Sequence, residues 1–478
     1  MDGDLRAVTA FRRATAVASI ALAMGIVACS GSRCATSKPY VADGGDRDFR
    51  VRGRLVAAPY PRDPASEIPS SVLGSAVEAN NAFAIDLYSH ILAEQPAAGA
   101  SNVITSPISA SLALTMAYAG AGGQTAREMA SALHFRDASA SIFNGQNALS
   151  QALASRAPSA LAEAEKAAAS FKQPPPSAVD FALDVVNSVW GEKSYAWNPP
   201  FLGVLAKSYG TGVYGEDFIH SFDAARVAIN DWVATRTADK IRNLVPQGAL
   251  NERTRIVLVN AVHLKLPWAT PFPQARTRPD TFTTADGTKV SANFMNREGS
   301  LSYEDGVDAT IARLPLDGGQ VSVIIALPKG DLGGYEAKLT AGTASVHLPD
   351  QTARVALSLP KFSFATSSFS LRSSLQAMGM VQAFDRSAAD FTGMCSTIPN
   401  ADKLYVGDVL QKAMIDVQET GVEAAASTAV ITLAAALARP LHVSMNVNRP
   451  FVIAIIDEPT GAILFLGHIT NPNETGPK

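Results

Sequence analysis

One segment near the C-terminus limits what this chain can fold into, because it combines very small side chains with a strand-like alternation. It reads Glu419-Thr-Gly-Val-Glu-Ala-Ala-Ala-Ser-Thr-Ala-Val-Ile-Thr432. Successive side chains of a strand point to opposite faces, so one face would be slim and uncharged while the other carries a single charge. The uncharged face is Val422, Ala424, Ala426, Thr428, Val430 and Thr432, and the other is Glu423, Ala425, Ser427, Ala429 and Ile431.

An alanine-rich run also favours an α-helix. Gly421 before the run and Val430-Ile-Thr432 after it disfavour a long helix, since glycine weakens helices and β-branched residues favour strands. We therefore predict a loop that can become a strand inside a crowded sheet.

The N-terminus has the features of a targeting segment. Three arginines precede an apolar run over residues 14–28, which is too short to span a bilayer comfortably. The run ends in Ile26-Val-Ala-Cys29, which resembles a bacterial lipobox. We predict a signal peptide over residues 1–28 and a lipid anchor on Cys29 in the bacterial cell envelope. The alternative is cleavage near Ala28 and secretion into the medium.

The rest of the chain divides into a tether and one large domain. Residues 29–75 are rich in Pro, Gly, Ser and Asp and lack periodicity, which predicts a disordered tether. From residue 76 to residue 478, amphipathic helix patterns alternate with apolar strand patterns. This mixture is typical of an α+β fold with large, mainly antiparallel sheets. Ser106-Pro107 predicts the start of a helix within it.

Composition and motifs narrow the possible chemistry. The net charge is −3, from 40 basic and 43 acidic residues, so no nucleic acid is expected as a partner. The three cysteines, Cys29, Cys34 and Cys395, lack metal-ligand spacing, so we expect no metal and no cofactor. The sequence contains no nucleophile elbow, no His-Glu-x-x-His motif and no phosphate loop. We predict that the protein is not an enzyme, with a dispersed Ser/His/Asp triad as the alternative.

Several separated blocks, in the same order between residues 77 and 472, resemble the serpin family. They are Asn102-Val-Ile-Thr-Ser-Pro-Ile-Ser-Ala-Ser111, Asn187-Ser-Val-Trp190, Ile229-Asn-Asp-Trp-Val233, Val257-Leu-Val-Asn-Ala261 with Trp268 and Phe272, Leu357-Ser-Leu-Pro-Lys-Phe362, Asp390-Phe391, Asn448-Arg-Pro-Phe451 and Leu464-Phe-Leu-Gly467. The resemblance implies an α+β serpin fold with three β-sheets, about eight or nine helices and an exposed reactive-centre loop. That loop would span residues 419–441.

In this family a target protease attacks the loop as a substrate, and the cleaved loop inserts into the main sheet as a new strand. The resemblance places the hinge of the loop at Glu419, Gly421, Val422, Glu423, Ala424, Ala425, Ala426, Ser427 and Thr428, with Gly421 as the pivot. Val422 stands where the family usually has Thr or Ser. The resemblance places the shutter beneath the main sheet at Ser106, Asn187 and Gln411, the last at a position that is usually histidine.

Two reactive bonds are consistent with the resemblance. The family's usual spacing from the hinge gives Ala435-Ala436, which suits elastase-like or subtilisin-like proteases. A count back from Asn448 with a shorter exit gives Arg439-Pro440, which suits a trypsin-like protease, although the proline would hinder attack. We favour Ala435, because sheet insertion constrains the length on the hinge side.

We therefore expect a monomeric inhibitor whose partner is a serine protease held in a covalent acyl complex. Two alternatives stay open. One is a non-inhibitory binding protein with the serpin fold. The other is an inhibitor of trypsin-like proteases or of papain-like cysteine proteases.

Overall fold

The computed structural model describes residues 54–95, 101–136, 140–395, 403–422 and 442–476. Within these ranges the α-helices are α1 (Ser70–Ala93), α2 (Pro107–Tyr118), α3 (Gly123–Ala132), α4 (Ser141–Ala154), α5 (Arg156–Ser170), α6 (Pro199–Tyr209), α7 (Phe218–Arg236), α8 (Leu332–Thr340) and α9 (Arg372–Ala377). None of these described helices is both long and apolar enough to cross a membrane.

The strands lie mainly in the second half of the chain. They are β1 (Arg54–Val56), β2 (Val103–Thr105), β3 (Ala182–Glu192), β4 (Val213–Glu216), β5 (Ile256–Pro267), β6 (Arg278–Thr283), β7 (Lys289–Asp305), β8 (Ala309–Pro315), β9 (Val321–Pro328), β10 (Thr352–Pro360), β11 (Phe362–Ala365), β12 (Phe369–Ser370), β13 (Val409–Lys412), β14 (Met414–Val417), β15 (Gly421–Val422), β16 (His442–Asn446), β17 (Phe451–Asp457) and β18 (Ala462–Ile469). The α+β class predicted from the sequence is confirmed.

The first sheet has nine strands, with the main order β1-β4-β3-β5-β15-β14-β11. β13 joins it by pairing with β5, and β12 pairs with β13. β5 is the central element, because it pairs with β3 along one edge and with both β13 and β15 along the other. Its residues are buried on both faces except at Lys265.

The second sheet also has nine strands, with the order β16-β10-β7-β8-β9-β17-β18-β2 and with β6 beside β7. The sequence predicts three sheets, but the described strands join into two. The reason lies in β7, which is 17 residues long. Its first part pairs with β6 and β10 and its last part pairs with β8, so strands that could form separate sheets share one.

Helix α2 lies between the two sheets. Every residue from Pro107 to Ala117 is buried, and the helix contacts β3 and β5 on one side and β18 on the other. The predicted helix start at Ser106-Pro107 is confirmed. The Ser106 hydroxyl does not cap the helix; it donates to the Leu464 carbonyl at 2.8 Å and so ties α2 to β18.

Helix α7 covers the opposite face of the first sheet. Its Ala228, Ile229 and Trp232 share a buried apolar cluster with Val257 and Val259 of β5. The even-numbered residues of β5, namely Leu258, Val262, Leu264 and Leu266, belong to the clusters between the sheets. The alternation along β5 therefore defines an inner face toward α2 and an outer face toward α7.

The ordered chain begins earlier than the sequence predicts. Residues 54–75 fall in the predicted tether, yet Arg54–Val56 forms β1, which pairs with β4 at the edge of the first sheet. The half-buried Arg62 guanidinium then binds α4, with 2.8 Å from Nε to Asn147 Oδ1. Backbone pairing and this half-buried cation order a segment whose sequence lacks a hydrophobic period. The tether boundary at residue 75 is therefore wrong, and residues 1–53 lie outside the described ranges.

Candidate functional site

The structure describes only the start of the predicted reactive-centre loop. Glu419, Gly421 and Val422 lie within the described residues. The hinge residues 423–428 and both candidate reactive bonds, Ala435-Ala436 and Arg439-Pro440, lie outside them, as does Cys29. The first residues of the loop and the strands that receive them form the candidate site.

Strand β15, made of Gly421 and Val422, lies between β5 and β14. Gly421 is opposite Pro267 and Val422 is opposite Leu266, both antiparallel. On its other side Val422 is opposite Val417 of β14. The loop therefore enters the first sheet as an interior strand, with a partner on each edge.

Gly421 allows a close approach of two backbones. A Cβ atom on this residue would lie 2.6 Å from both the Leu266 carbonyl oxygen and the Pro267 Cα. Gly421 is not among the described glycines with positive φ. The predicted pivot is therefore a point of close contact, and only a residue without a side chain fits there.

Val422 lies on the inner face of the sheet, as its place in the predicted alternation requires. It is 2% exposed and belongs to the same apolar cluster as Leu266 and Val417. The other members of the predicted uncharged face lie outside the described residues, so that face stays a prediction.

Glu419 anchors the chain just before β15. It is 7% exposed, its carboxylate lies 2.8 Å from Lys361 Nζ, and the Thr277 hydroxyl donates to it at 2.9 Å. Burial acts to raise the pKa of Glu419, but the hydrogen bonds from Lys361 and Thr277 outweigh it and lower that pKa below its ordinary value. The carboxylate is therefore ionised and paired at neutral pH.

Trp268 and Phe272 hold the backbone around Glu419. The Trp268 indole N–H donates to the Gln418 carbonyl at 2.7 Å, and its backbone N–H donates to the Thr420 carbonyl at 3.0 Å. The Phe272 backbone N–H donates to the Glu419 carbonyl at 2.8 Å. Trp268, Phe272 and Lys361 all occur in the blocks that resemble the serpin family, but the sequence gives no sign that they meet the loop.

Two of the three predicted shutter residues lie on strands of the first sheet, Asn187 on β3 and Gln411 on β13, and Gln411 touches the third, Ser106. Gln411 is 1% exposed; its Nε2 donates to the Ser106 carbonyl at 2.8 Å and its Oε1 accepts from the Ser106 N–H at 3.1 Å. The Thr105 hydroxyl also donates to Gln411 Oε1, at 2.6 Å. Asn187 on β3 is separated from Gln411 by β5, and its Oδ1 accepts from the Ser109 hydroxyl at 3.1 Å.

Asn260 connects the two parts of the shutter. It is opposite Asn187 of β3 on one side and opposite Gln411 of β13 on the other. Its Oδ1 accepts from Gln411 Nε2 at 3.3 Å, while its buried Nδ2 has no partner among the described residues. Asn260 belongs to the Val257–Ala261 block, but strand register, which the sequence does not reveal, is what places it here.

The sheet is closed below β15. Residues Leu258 to Ala261 of β5 pair directly with Val409 to Lys412 of β13 in a parallel register. Between this contact and β15 lies a narrow cleft. Its walls are Val262, His263 and Leu264 of β5, Met414 and Asp416 of β14, and Lys240 and Ile241.

Comparisons with known proteins agree with this architecture. The family model for serpins, described as serine protease inhibitors, matches residues 78–472. A serpin-like protein of Thermococcus kodakarensis is 33% identical over 401 residues, which cover 83% of this chain and 86% of that protein. Human antithrombin-III is 31% identical over 399 residues, covering 83% of this chain and 81% of that protein.

Among solved structures, human thyroxine-binding globulin complexed with thyroxine matches with a TM-score of 0.67 and 27% identity. That match covers 84% of this chain and 100% of the other. The fold is that of a family made up mainly of serine protease inhibitors. The chain belongs to the serpin family.

The shutter contacts predict that Gln411→Leu destabilises the protein. The change leaves the Thr105 hydroxyl and the Ser106 N–H buried without their partner, and the Ser106 carbonyl keeps only the Ala110 N–H, at 3.4 Å. We expect a loss of about 2–4 kcal/mol in the free energy of unfolding, measured from urea denaturation curves. Gln351→Leu, at an exposed position, is the matched control and should change stability by less than about 0.5 kcal/mol. Equal denaturation midpoints for the two variants would contradict this role of Gln411.

Proposed function

We propose that this serpin inhibits serine proteases as a suicide substrate whose cleaved loop inserts into the first sheet. The observation that carries the proposal is the position of β15, which already pairs with β5 and β14 as an interior strand. The protease serine attacks the carbonyl carbon of the reactive bond, the amide bond breaks, and an ester forms while the new amine leaves. Insertion of the loop then carries the acylated protease away before water can hydrolyse the ester.

Continuing the register of β15 puts the small hinge residues on the inner face. Val422 lies opposite Leu266, so an inserted strand in the same register would put Ala424 opposite Leu264 and Ala426 opposite Val262. Both β5 residues are buried in the core between the sheets. Small uncharged side chains are what this crowded face can accept.

The outer positions suit the one charge in the hinge. The same register puts Glu423 opposite Lys265, on the face toward α7. Lys265 Nζ lies 2.8 Å from Asp180, so the ammonium group already has one carboxylate partner on this face. On this face the Glu423 carboxylate would lie beside the same ammonium group and outside the apolar core.

Deeper insertion reaches the shutter. Continued that far, the register would put Thr428 between Asn260 of β5 on one side and Gln411 of β13 on the other. To arrive there, the loop must displace β13 from β5 along four residue pairs, Leu258 to Ala261 with Val409 to Lys412. A fully inserted strand gains ladder hydrogen bonds on both edges, on the order of 10 kcal/mol at about 1 kcal/mol each. That gain is comparable to the stability of a whole domain, which favours a metastable uncleaved state.

For the reactive bond we propose Ala435-Ala436, and for the target an elastase-like or subtilisin-like protease. The small, apolar segment Leu433-Ala-Ala-Ala436 suits shallow specificity pockets. Arg439-Pro440 with a trypsin-like target is the competing assignment. Thyroxine-binding globulin, solved as a thyroxine complex, favours a second function in which the fold carries a small molecule. The uncharged small-residue hinge favours inhibition over that alternative.

Incubation with a panel of elastase, subtilisin, trypsin and papain tests the proposal. We expect a covalent complex that survives denaturation with elastase or subtilisin, because insertion outruns hydrolysis of the ester. Mass spectrometry should find a released C-terminal peptide that begins at Ala436. A peptide that begins at Pro440 would assign the bond to Arg439. If no protease forms such a complex and the cleaved protein melts no higher than the intact one, inhibition is refuted and the binding-protein alternative gains.

A charge on the inner hinge face should convert the inhibitor into a substrate. In Ala426→Glu the carboxylate would have to be buried beside Val262, which slows insertion and lets hydrolysis win. We expect the number of inhibitor molecules consumed per protease to rise about tenfold or more. Ala425→Glu places the same charge on the outer face and is the matched control, with a smaller increase. Indistinguishable stoichiometries for the two variants would show that the predicted face is wrong.

We also propose that the protein is anchored in the bacterial cell envelope by a lipid on Cys29, supported by the Ile26-Val-Ala-Cys29 motif. Protein from membranes should partition into the detergent phase, and Cys29→Ser should move it to the aqueous phase. Cys34→Ser is the matched control and should leave the partitioning unchanged. Wild-type protein in the aqueous phase with an unmodified Cys29 would instead support secretion.

A further inference from the structure

A small cavity lies between β3 and the helices α2, α4 and α6. Its volume is about 140 Å³, and a cavity of about 150 Å³ can hold a molecule the size of benzene. The residues that line it are Arg62, Leu112, Met116, Ser150, Ala154, Leu183, Val185, Asn187 and Tyr209. Arg62 is the only charged residue among these described lining residues, so the cavity is a candidate site for a small anion.

The Arg62 guanidinium is a half-buried cation whose hydrogen bonds all go to neutral groups. Its Nε donates to Asn147 Oδ1 at 2.8 Å, and its Nη2 donates to the Ser150 hydroxyl and to the carbonyls of Asn147 and Ser208. Its Nη1 has no partner among the described residues, and no described carboxylate forms an ion pair with it. The guanidinium is therefore fixed in position, but its charge has no counter-ion.

Tyr209, which also lines the cavity, does not supply the missing negative charge. Burial raises the pKa of Tyr209 well above its ordinary value, so the phenol stays neutral. Arg156 of α5 shows the usual solution for a largely buried arginine, because it binds both carboxylate oxygens of Asp457, at 2.6 and 3.1 Å. Arg62 stays protonated at neutral pH and has no such partner among the described residues.

The second polar group that the cavity leaves open is also a donor. Asn187 accepts from the Ser109 hydroxyl through Oδ1, and its Nδ2 has no partner among the described residues. Asn187 is half-buried and lines the cavity, so a ligand can reach its amide. The Ser150 hydroxyl already donates its proton to the Asn147 carbonyl, at 3.1 Å. A ligand beside Arg62 and Asn187 would therefore meet N–H donors and one positive charge, and the complementary group is an anion with acceptor oxygens.

Apolar side chains form much of the remaining wall. Val185 of β3 is half-buried and Ala154 at the end of α4 is exposed, so both present apolar surface to the cavity. Leu112 and Met116 of α2 are buried and form its inner wall. A dianion such as sulfate would meet a single cation and would bring its second charge against these apolar walls. A monoanion that has a short apolar chain suits both the charge and the walls.

We propose that this cavity binds a short-chain monocarboxylate. The carboxylate pairs with Arg62 Nη1 and accepts from Asn187 Nδ2, and the chain packs against Val185 and Ala154. Because α4 and α6 already hold the guanidinium in place, little side-chain freedom is lost when the ligand binds. The cavity shares Asn187 with the shutter, but binding needs neither a protease nor cleavage of the loop.

Propionate and propionamide are suitable probes, because they have nearly the same shape and differ in charge. We expect saturable binding of propionate to the uncleaved wild-type protein with a Kd on the order of millimolar, measured by ligand-observed NMR titration at neutral pH without other carboxylates in the buffer. Propionamide should bind at least about tenfold more weakly, because it lacks the charge that pairs with Arg62. Arg62→Gln should reduce propionate binding about tenfold or more, and Arg253→Gln, at an exposed position, is the matched control.

A second variant separates binding from folding, because Arg62 also ties the residues before α1 to α4. Ala154→Trp places a large ring at the exposed rim of the cavity and should abolish propionate binding while Arg62 stays intact. Loss of binding in both variants, with wild-type affinity in Arg253→Gln, supports the site. The proposal is overturned if the wild-type protein does not bind propionate saturably, if propionamide binds equally well, or if either cavity variant keeps the wild-type affinity. A crystal soaked in propionate that shows only water beside Arg62 would also overturn it.

Discussion

The edge of β5 that faces away from β3 is the constraint on which the rest of the site depends. Along that edge β13 occupies the first part in a parallel register and β15 occupies the end in an antiparallel register. Each residue of an edge can pair with one strand at a time, so β15 can lengthen beyond Val262 of β5 only as β13 leaves. Parallel pairing is slightly weaker per residue than antiparallel pairing. The fold thus sets two strands in competition for one edge, and Gln411 favours the strand that is there now.

The contacts around Glu419 decide how that competition would proceed. A strand that slips by one residue turns every side chain to the other face. Gly421 prevents such a slip, because only a residue without a Cβ fits against the Leu266 carbonyl and Pro267. The Glu419–Lys361 pair and the Trp268 indole fix the residues before it. Under the proposed insertion, the register that would put Ala424 and Ala426 inside and Glu423 outside is therefore set by contacts made before insertion begins.

The sequence predicts features that depend on neighbouring residues. It does not predict features that depend on pairing between distant segments. The helix start at Ser106 is a local pattern, and it is confirmed. The predicted alternation is also local, but of its residues only Val422 lies within the described ranges, so it stays a prediction. The merging of sheets through β7 is not local, since it depends on how far each neighbour extends along a 17-residue strand. The same holds for β1, because a short apolar segment becomes a strand only when β4 offers it an edge.

In the shutter, too, some residues could be predicted from the sequence and one could not. Ser106 and Gln411 could be named from the resemblance, but Asn260 could not, because register alone aligns it with them. Gln411 has no proton to gain or lose near neutral pH, so its bonds to Ser106 do not titrate. Asn260 Nδ2 is buried and unmet in the described state. Under the proposed insertion, Thr428 would bring a hydroxyl acceptor to that donor, a gain of about 1–3 kcal/mol over the uncleaved state. The unsatisfied Asn260 donor in the uncleaved fold would then contribute part of the free energy that drives insertion of the loop.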